Sequence, residues 1–389
     1  MARPYSPKTV LRQVHNHFLK EFFDQRRELA EIPWMHQRET DIGLVYDAWQ
    51  ALPTFQRSEV DRAFQAIHEM ACEAGVKALN EEGVVHGLNL VTALAQQDGF
   101  YDKAMWAYLA HPSIFNVASL FVSADGLFGR HWVRHKSLPR KSPNTSAQGV
   151  RAFADALSEY YKSEQGRGHQ CTVETYLRGG RQHYFFAYPD DYPDTYIGHN
   201  DQGEFVKRPQ KRAFEVVFIY DPTTGSLDMY AHGDRGVKAR LLYIFCQVIL
   251  NENPPPEQPG DHPYELNALL SSDCRFVTDP SDGIEEVRVR KLRLGIGGRR
   301  ITLESDPQVG PEDVFDMIAE CLSAEHLART RPNVTQAEFQ FRFAPKGYER
   351  PKPFTFSVSF PNSSNLKSLK EDHRLLAEKY LRRWKIQRD

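Results

Sequence analysis

Histidine and carboxylate pairs are the first places where this sequence could carry chemistry. His131 and His135 stand four residues apart, a spacing that puts two imidazoles on one side of a helix as in zinc hydrolases. Those sites also need a glutamate base beside the first histidine. Position 132 is Trp instead, and Arg130, Arg134 and Lys136 surround the pair with charge that repels a cation. His15-Asn16-His17 has the residue types of a nuclease metal centre, but the three are adjacent on a helical stretch rather than spread over strands and a helix. Asp279 followed by Glu285 and Glu286 approaches the Asp…Glu-x-Lys pattern of metal-dependent nucleases. The residue in the lysine position is Arg288, whose guanidinium does not deprotonate. Leu294 to Arg299 is glycine-rich, yet it joins two strands instead of opening a helix, and it reads as a hairpin turn rather than a phosphate loop. No Gly-x-Ser-x-Gly elbow occurs. Neither a metal nor a cofactor is expected.

Clustered positive charge is the remaining signal. Residues 366–387 read as a helix with Leu366, Leu369, Leu376, Tyr380 and Trp384 on one stripe. Lys367, Lys370, Arg374, Arg382, Lys385 and Arg388 fall on an adjoining face. A second group, Arg288, Arg290, Arg293, Arg299 and Arg300, lies on a strand pair, joined by Lys291, while Arg329, Arg331, Arg342, Lys346, Arg350 and Lys352 are near by in sequence. A third, Arg130, Arg134, Lys136, Arg140 and Lys141, occupies a Pro- and Ser-containing stretch without an acid. Such patches neutralise phosphates and give salt-sensitive affinity.

The sequence therefore leads to a non-enzymatic binding or adaptor protein that offers a basic surface to nucleic acid or another phosphate-bearing partner. Its N-terminal helices are expected to make protein contacts. The alternative is a metal-dependent hydrolase or nuclease assembled from distant residues, with Asp190, Asp191, Glu215, Asp221 and Asp228 as acids and His183 or His232 as base. A third reading is a non-catalytic subunit of a larger complex, marked by exposed apolar patches.

The elements that must carry these residues follow from periodicity. Residues 1–128 read as a helical module. Ser6-Pro7 starts a helix bearing Val10, Val14, Phe18, Leu19 and Phe22; apolar faces recur over 41–52, from Ser58, and around 87–97, 101–109 and 114–121. Residues 129–147 form a basic linker, and a helix is expected over 148–162. Strands 171–178 and 181–188 flank Gly179-Gly180, a two-residue hairpin signal; 189–194 reads as an acidic turn-forming loop.

Three hairpin–helix units then follow: strands 213–220 and 226–232 with helix 236–250; strands 284–296 and 299–304 with helix 311–327; strands 334–344 and 353–360 with helix 366–387. Residues 216–220 are apolar on both faces and should be central in a sheet. The Pro-rich stretch 253–263 separates a first α+β unit, 148–252, from a second region, 264–389. The fold class is α+β, an antiparallel sheet covered by helices, and its order differs from the βαββαβ of single-stranded-RNA-binding sheets.

A chain of 389 residues with 41% hydrophobic and 26% charged content is ordinary for a globular protein large enough for two cores. The net charge of -2 gives no whole-chain attraction to a polyanion, so any such role must come from local segregation. The five cysteines, Cys72, Cys171, Cys246, Cys274 and Cys321, are scattered without a Cys-x-x-Cys pair, which argues against a disulfide framework or structural zinc. No apolar signal region opens the sequence, and no window reaches the roughly 20 apolar residues of a membrane span. A cytoplasmic protein without a membrane partner is expected.

Overall fold

The computed structural model describes residues 4–34, 36–127, 131–200, 203–256, 262–270, 276–305, 314–321, 332–345 and 351–388. Among these, 12 α-helices accompany one 11-stranded antiparallel sheet, a mixed α+β architecture. Helices come first: α1 (Pro7–Gln13), α2 (Asn16–Arg26), α3 (Gly43–Gln50), α4 (Thr54–Met70), α5 (Glu73–Val85), α6 (Val91–Ala95), α7 (Gly99–Ala110) and α8 (Pro112–Gly126). The expected first helix breaks at Val14, whose extended backbone separates α1 from α2. Phe22, Phe23, Phe64, Ile67 and Phe115 fill the core among these helices.

The next elements are β1 (Trp132–His135), α9 (Ala147–Gln165), β2 (Cys171–Arg178), β3 (Gln182–His199), β4 (Phe205–Ala213), β5 (Val216–Asp221), β6 (Ser226–Tyr230) and α10 (Arg235–Val248). The chain ends with β7 (Ile284–Ile296), β8 (Arg299–Glu304), α11 (Val314–Cys321), β9 (Asn333–Phe343), β10 (Phe354–Ser359), β11 (Ser363–Ser364) and α12 (Glu371–Arg383). The helix expected over 311–327 extends past α11 at both ends into residues outside those described.

Local chemistry accounts for the strongest of these. The Ser146 hydroxyl accepts a hydrogen bond from the Gly149 N–H at 3.1 Å and so caps α9. In the three-residue connection between paired Arg178 and Gln182, Gly179 and Gly180 close the β2–β3 hairpin with φ of 57° and 68°, left-handed values that glycine adopts without strain. Gly297 and Gly298 do the same for β7–β8.

The sheet order is β2-β3-β5-β6-β1-β11-β10-β9-β7-β8, with β4 paired only to β3. Strands from both sides of the Pro-rich stretch thus belong to a single sheet. Its halves meet where β1 pairs β6 along four residues and β11 through Val133 and Ser363. Trp132–His135 is accordingly a central strand inside the stretch that composition marks as a linker.

The first half is covered on both sides. Phe185, Val216, Phe218, Tyr220 and Met229 pack with Phe153 and Leu157 of α9 and Leu241 and Phe245 of α10. Tyr184, Phe186, Val217, Ile219 and Tyr230 face Phe121 and Ala124 of α8. This double cover explains why every residue of β5 is buried. In the second half, Val289, Leu292, Phe339, Phe341 and Phe356 pack with Tyr380 and Leu381 of α12. The opposite face of these strands carries Arg288, Lys291, Arg293, Gln336, Glu338 and Gln340, which the pairing register sets together.

Residues 189–194 are not an isolated loop. They lie within β3, which runs beyond the sheet and pairs with β4 as a two-stranded arm.

Candidate nucleic-acid interface

The basic residues separate into three groups in space. On β7 and β8, Arg288, Arg293 and Arg300 share the open sheet face, since Arg288 pairs Gln340, Arg293 pairs Gln336 and Thr302, and Gly295 pairs Arg300. Arg288 Nε lies 2.6 Å from Glu286 Oε1, and Arg342 reaches the other oxygen of that carboxylate at 3.3 Å. Lys291 is held by Glu304 at 2.7 Å. Arg290 donates to the hydroxyl and the carbonyl of Ser305. Arg293, Arg299 and Arg300 have no carboxylate partner among the described residues. They occupy the hairpin end of the strand pair, beside Gly297-Gly298.

Helix α12 presents its cations elsewhere. Tyr380 and Leu381 seat it on the Phe339/Phe341 side, so it lies across the sheet from Arg288 and Arg293. Arg374 and Arg382 both reach Glu378, at 3.4 and 3.5 Å, from one turn on either side. Arg388 reaches Glu265 at 3.4 Å, and its carbonyl accepts from Lys136 Nζ. Lys370 stands at the N-cap, and Lys385 follows the helix with φ 59°; neither has an ion-pair partner among the described residues. Arg329, Arg331, Lys346, Arg350 and Arg130 lie outside the described residues.

Arg134 and Lys367 are drawn inward and keep only part of their side chains exposed. Arg134 points from β1 at Asp228 on β6, with Nε and Nη2 on separate carboxylate oxygens at 2.7 and 3.0 Å. Lys367 Nζ approaches the same carboxylate at 3.0 Å and sits 3.9 Å over the Trp132 ring. Trp132, Tyr264, Ser364 and Glu378 join these residues around a cavity of about 20 Å³, room for one water. Burial alone would raise the Asp228 carboxyl; the adjacent Arg134 and Lys367 charges outweigh it and hold the group well below the usual carboxylate range. Asp228 raises Arg134 against the opposing effect of burial, whereas burial prevails at Lys367 and lowers its ammonium. Two cations around one anion at the junction of the sheet halves lock β1, β6 and the segment after β11 together. Of the third group, Lys141 pairs with Glu252 at 2.8 Å, and Arg140 has no ion-pair partner among the described residues.

The chain has no family attribution from sequence: no protein-family model matches it, and no curated protein matches it.

The acids and histidines of the hydrolase reading are dispersed. Asp221 accepts from the N–H and hydroxyl of Thr223 and pairs with Arg181 at 2.8 Å, stabilising the β5–β6 turn. Burial lowers His183 near it. Asp191 pairs with Arg167 at 2.8 Å, and Asp190 lies 3.9 Å from Lys211 at the base of the arm. Burial raises Glu215 at the start of β5. His232 Nε2 and the Tyr230 hydroxyl share a hydrogen bond at 3.1 Å, and the His232 ring lies tilted against His131 with centroids 4.0 Å apart. His15 lies on Asp102 of α7, which also accepts the His15 N–H at 3.0 Å, so this contact ties the start of α2 to α7. Among the described residues no group of three or more His, Cys, Asp or Glu could hold a metal ion.

One further cationic run, Lys207-Arg208-Pro209-Gln210-Lys211-Arg212 on β4, lies outside the three basic clusters of the sequence. Its signal was the alternation beginning at Phe205, broken by Pro209.

Proposed function

We propose that the protein is a non-enzymatic binding or adaptor protein that acts in the cytoplasm without a cofactor and offers basic side chains to a nucleic acid or another phosphate-bearing partner. The observation that carries this reading is the group Arg293, Arg299 and Arg300 at one hairpin end, where three guanidiniums stand without a carboxylate among the described residues. Guanidiniums left in this state attract phosphate oxygens and release their counterions on contact. Arg288, Arg342, Arg374 and Arg382 are already paired with Glu286 and Glu378, which leaves Arg293, Arg299 and Arg300 as the contribution of this end of the sheet to the contact.

In the same reading, α1 to α8 act as a module for protein contacts. Val84, Val85, Leu88 and Val91 support it, an apolar run at the end of α5 and the start of α6 that is 41–71% exposed. The scaffold is read as three hairpin–helix units, β5–β6 with α10, β7–β8 with α11 and β9–β10 with α12. The test is polyanion binding by the full chain, titrated over salt. R293E/R299E/R300E should weaken binding on the order of tenfold or more and reduce the log–log salt slope by about 2–3. Unchanged binding by the triple variant, or no binding by the wild type at low salt, overturns the proposal.

A further inference from the structure

The arm formed by β3 and β4 leaves the sheet with both strands exposed. From Pro193–Lys211 to His199–Phe205 its seven registered pairs extend about 20 Å. A lone two-stranded ribbon is marginal in water, so an arm of this length is best accounted for by what it meets. Register and period two sort its side chains into two faces. One carries Pro193, Thr195, Ile197, His199, Phe205, Lys207, Pro209 and Lys211, with no acid among them; the His199–Phe205 ring contact at 5.7 Å and Lys207 at 5.6 Å from the Phe205 ring agree with this sorting. The other bears Tyr196 with Arg208 over its ring at 5.1 Å, and Asp194, which accepts the Thr195 N–H.

Ile197 and Phe205 are each 60% exposed, beside the Lys207 ammonium, which has no carboxylate partner among the described residues. The described carboxylates of the arm lie off this face, at its base, at its tip or, for Asp194, on the other face. Asp191 holds Arg167, Asp190 lies by Lys211 at the base, and Glu204 accepts from Asn200 at the tip. Lys207, Arg208 and Arg212 have no carboxylate among the described residues.

Strand addition by a second copy is disfavoured at both edges. β3 carries Pro193 and a register shift, and β4 carries Pro209 amid four cations, the features that keep edge strands from pairing. Contact must then go through a face rather than an edge. A face of apolar side chains and cations without acids matches a polyanion that also offers apolar surface. The major groove of B-form DNA admits a two-stranded ribbon and provides both, phosphates at its rims and base edges within, whereas the deep, narrow major groove of an RNA duplex does not.

We infer that the β3–β4 arm docks into a duplex DNA groove, with Lys207 and Lys211 on backbone phosphates and Ile197 and Phe205 against base edges. This inference rests on the nucleic-acid reading above and adds the kind of nucleic acid and the element that enters it.

The test uses the full chain and a fluorescently labelled 30-base-pair duplex of mixed sequence, followed by anisotropy over a salt series. K207E/K211E should weaken binding on the order of tenfold and reduce the salt slope by about 2. I197S/F205S should weaken it several-fold with the slope unchanged, because it removes no charge. Circular dichroism melts within a degree or two of wild type show that these exposed positions leave the fold intact. Wild-type affinity in both arm variants, alongside loss in R293E/R299E/R300E, overturns the arm and leaves the reading above standing. No binding by the wild type overturns both. Equal or tighter binding to the single strand of the same sequence overturns groove docking.

Discussion

Arg134 and Asp228 face each other across adjacent strands β1 and β6, registered Cα to Cα, with the guanidinium forked over both carboxylate oxygens. Their side chains keep 26% and 16% exposure, and Lys367 adds a second cation from beyond β11. Replacing Asp228 by Asn leaves two positive charges near each other with no anion between them. D228N should lose about 2–3 kcal/mol in urea unfolding, less than the roughly 3–5 kcal/mol of a fully buried pair, because some solvent reaches these groups. A loss under 0.5 kcal/mol would show that the cluster does not hold the sheet halves together.

The same carboxyl predicts an acid limb. Its folded-state pKa lies below the unfolded value of about 3.9. The unfolded chain therefore takes up the proton first as pH falls. Stability from this group is fully present above the ordinary carboxylate range and is lost as pH drops toward the folded pKa. Between about pH 4 and pH 2 the wild type should lose stability more steeply than D228N. Parallel curves for the two proteins would remove Asp228 from the acid response.

The parts of this fold that are legible in the sequence are those where local rules and tertiary context agree. Gly179-Gly180 and Gly297-Gly298 mark hairpins because both turn positions take positive φ, and the Phe339/Phe341 alternation gives the buried side of β9 directly. Apolar residues on both faces of β5 mark it as central, as α8 and α10 covering it from either side require. Helix α5 escaped notice because part of its packing is through a small residue rather than an apolar stripe: Gly75 lies so close to the Met70 carbonyl that a Cβ there would be 2.0 Å from the oxygen. β1 is four residues long and basic, and its strand state depends on β6 and β11, far away in sequence. The arm was hidden by Pro193, Gly198 and Pro209, which punctuate it like a loop.

Neutralisation of the basic clusters was legible only in part. Glu378 lies four residues from both Arg374 and Arg382, so helix geometry alone predicts those pairs. Glu286 two residues before Arg288 shares its strand face. Nothing local relates Arg134 to Asp228, 94 residues apart.

Glu286 supplies a test with the opposite sign to the charge reversals. It occupies Arg288 and Arg342 at once on the open sheet face. E286Q should leave stability within about 1 kcal/mol, since these pairs are largely solvated. Under the proposed function it frees two guanidiniums beside Arg293, and polyanion affinity should tighten about two- to fivefold with a steeper salt slope. Weaker binding by E286Q would show that the open face takes no part.

Core packing predicts a large effect that leaves charge alone. Phe218 is fully buried on β5, its ring 5.2 Å from Phe153 and 5.4 Å from Phe245. F218A should cost about 3–5 kcal/mol, the lost transfer energy plus the cavity left between α9 and α10. F218L, which keeps most of the volume, should recover more than half. Equal losses in the two variants would mean that ring geometry rather than filled volume matters there.

Glu215 provides the last test, because its shift runs opposite to that of Asp228. Burial at the start of β5 raises its carboxyl above the ordinary value, so keeping it ionised costs the folded state free energy. The folded protein holds this proton to higher pH than the unfolded chain does. Relative stability from the group is therefore present below the unfolded pKa and lost as pH rises through the folded one. E215Q keeps the shape and removes the ionisation. It should melt higher than wild type at pH 7–8, and the difference should shrink as pH falls below about 4, where both side chains are neutral. A variant less stable than wild type at neutral pH would show instead that the Glu215 carboxylate makes a favourable contact in its charged form, and a charge-dependent role at this end of the sheet would have to be sought.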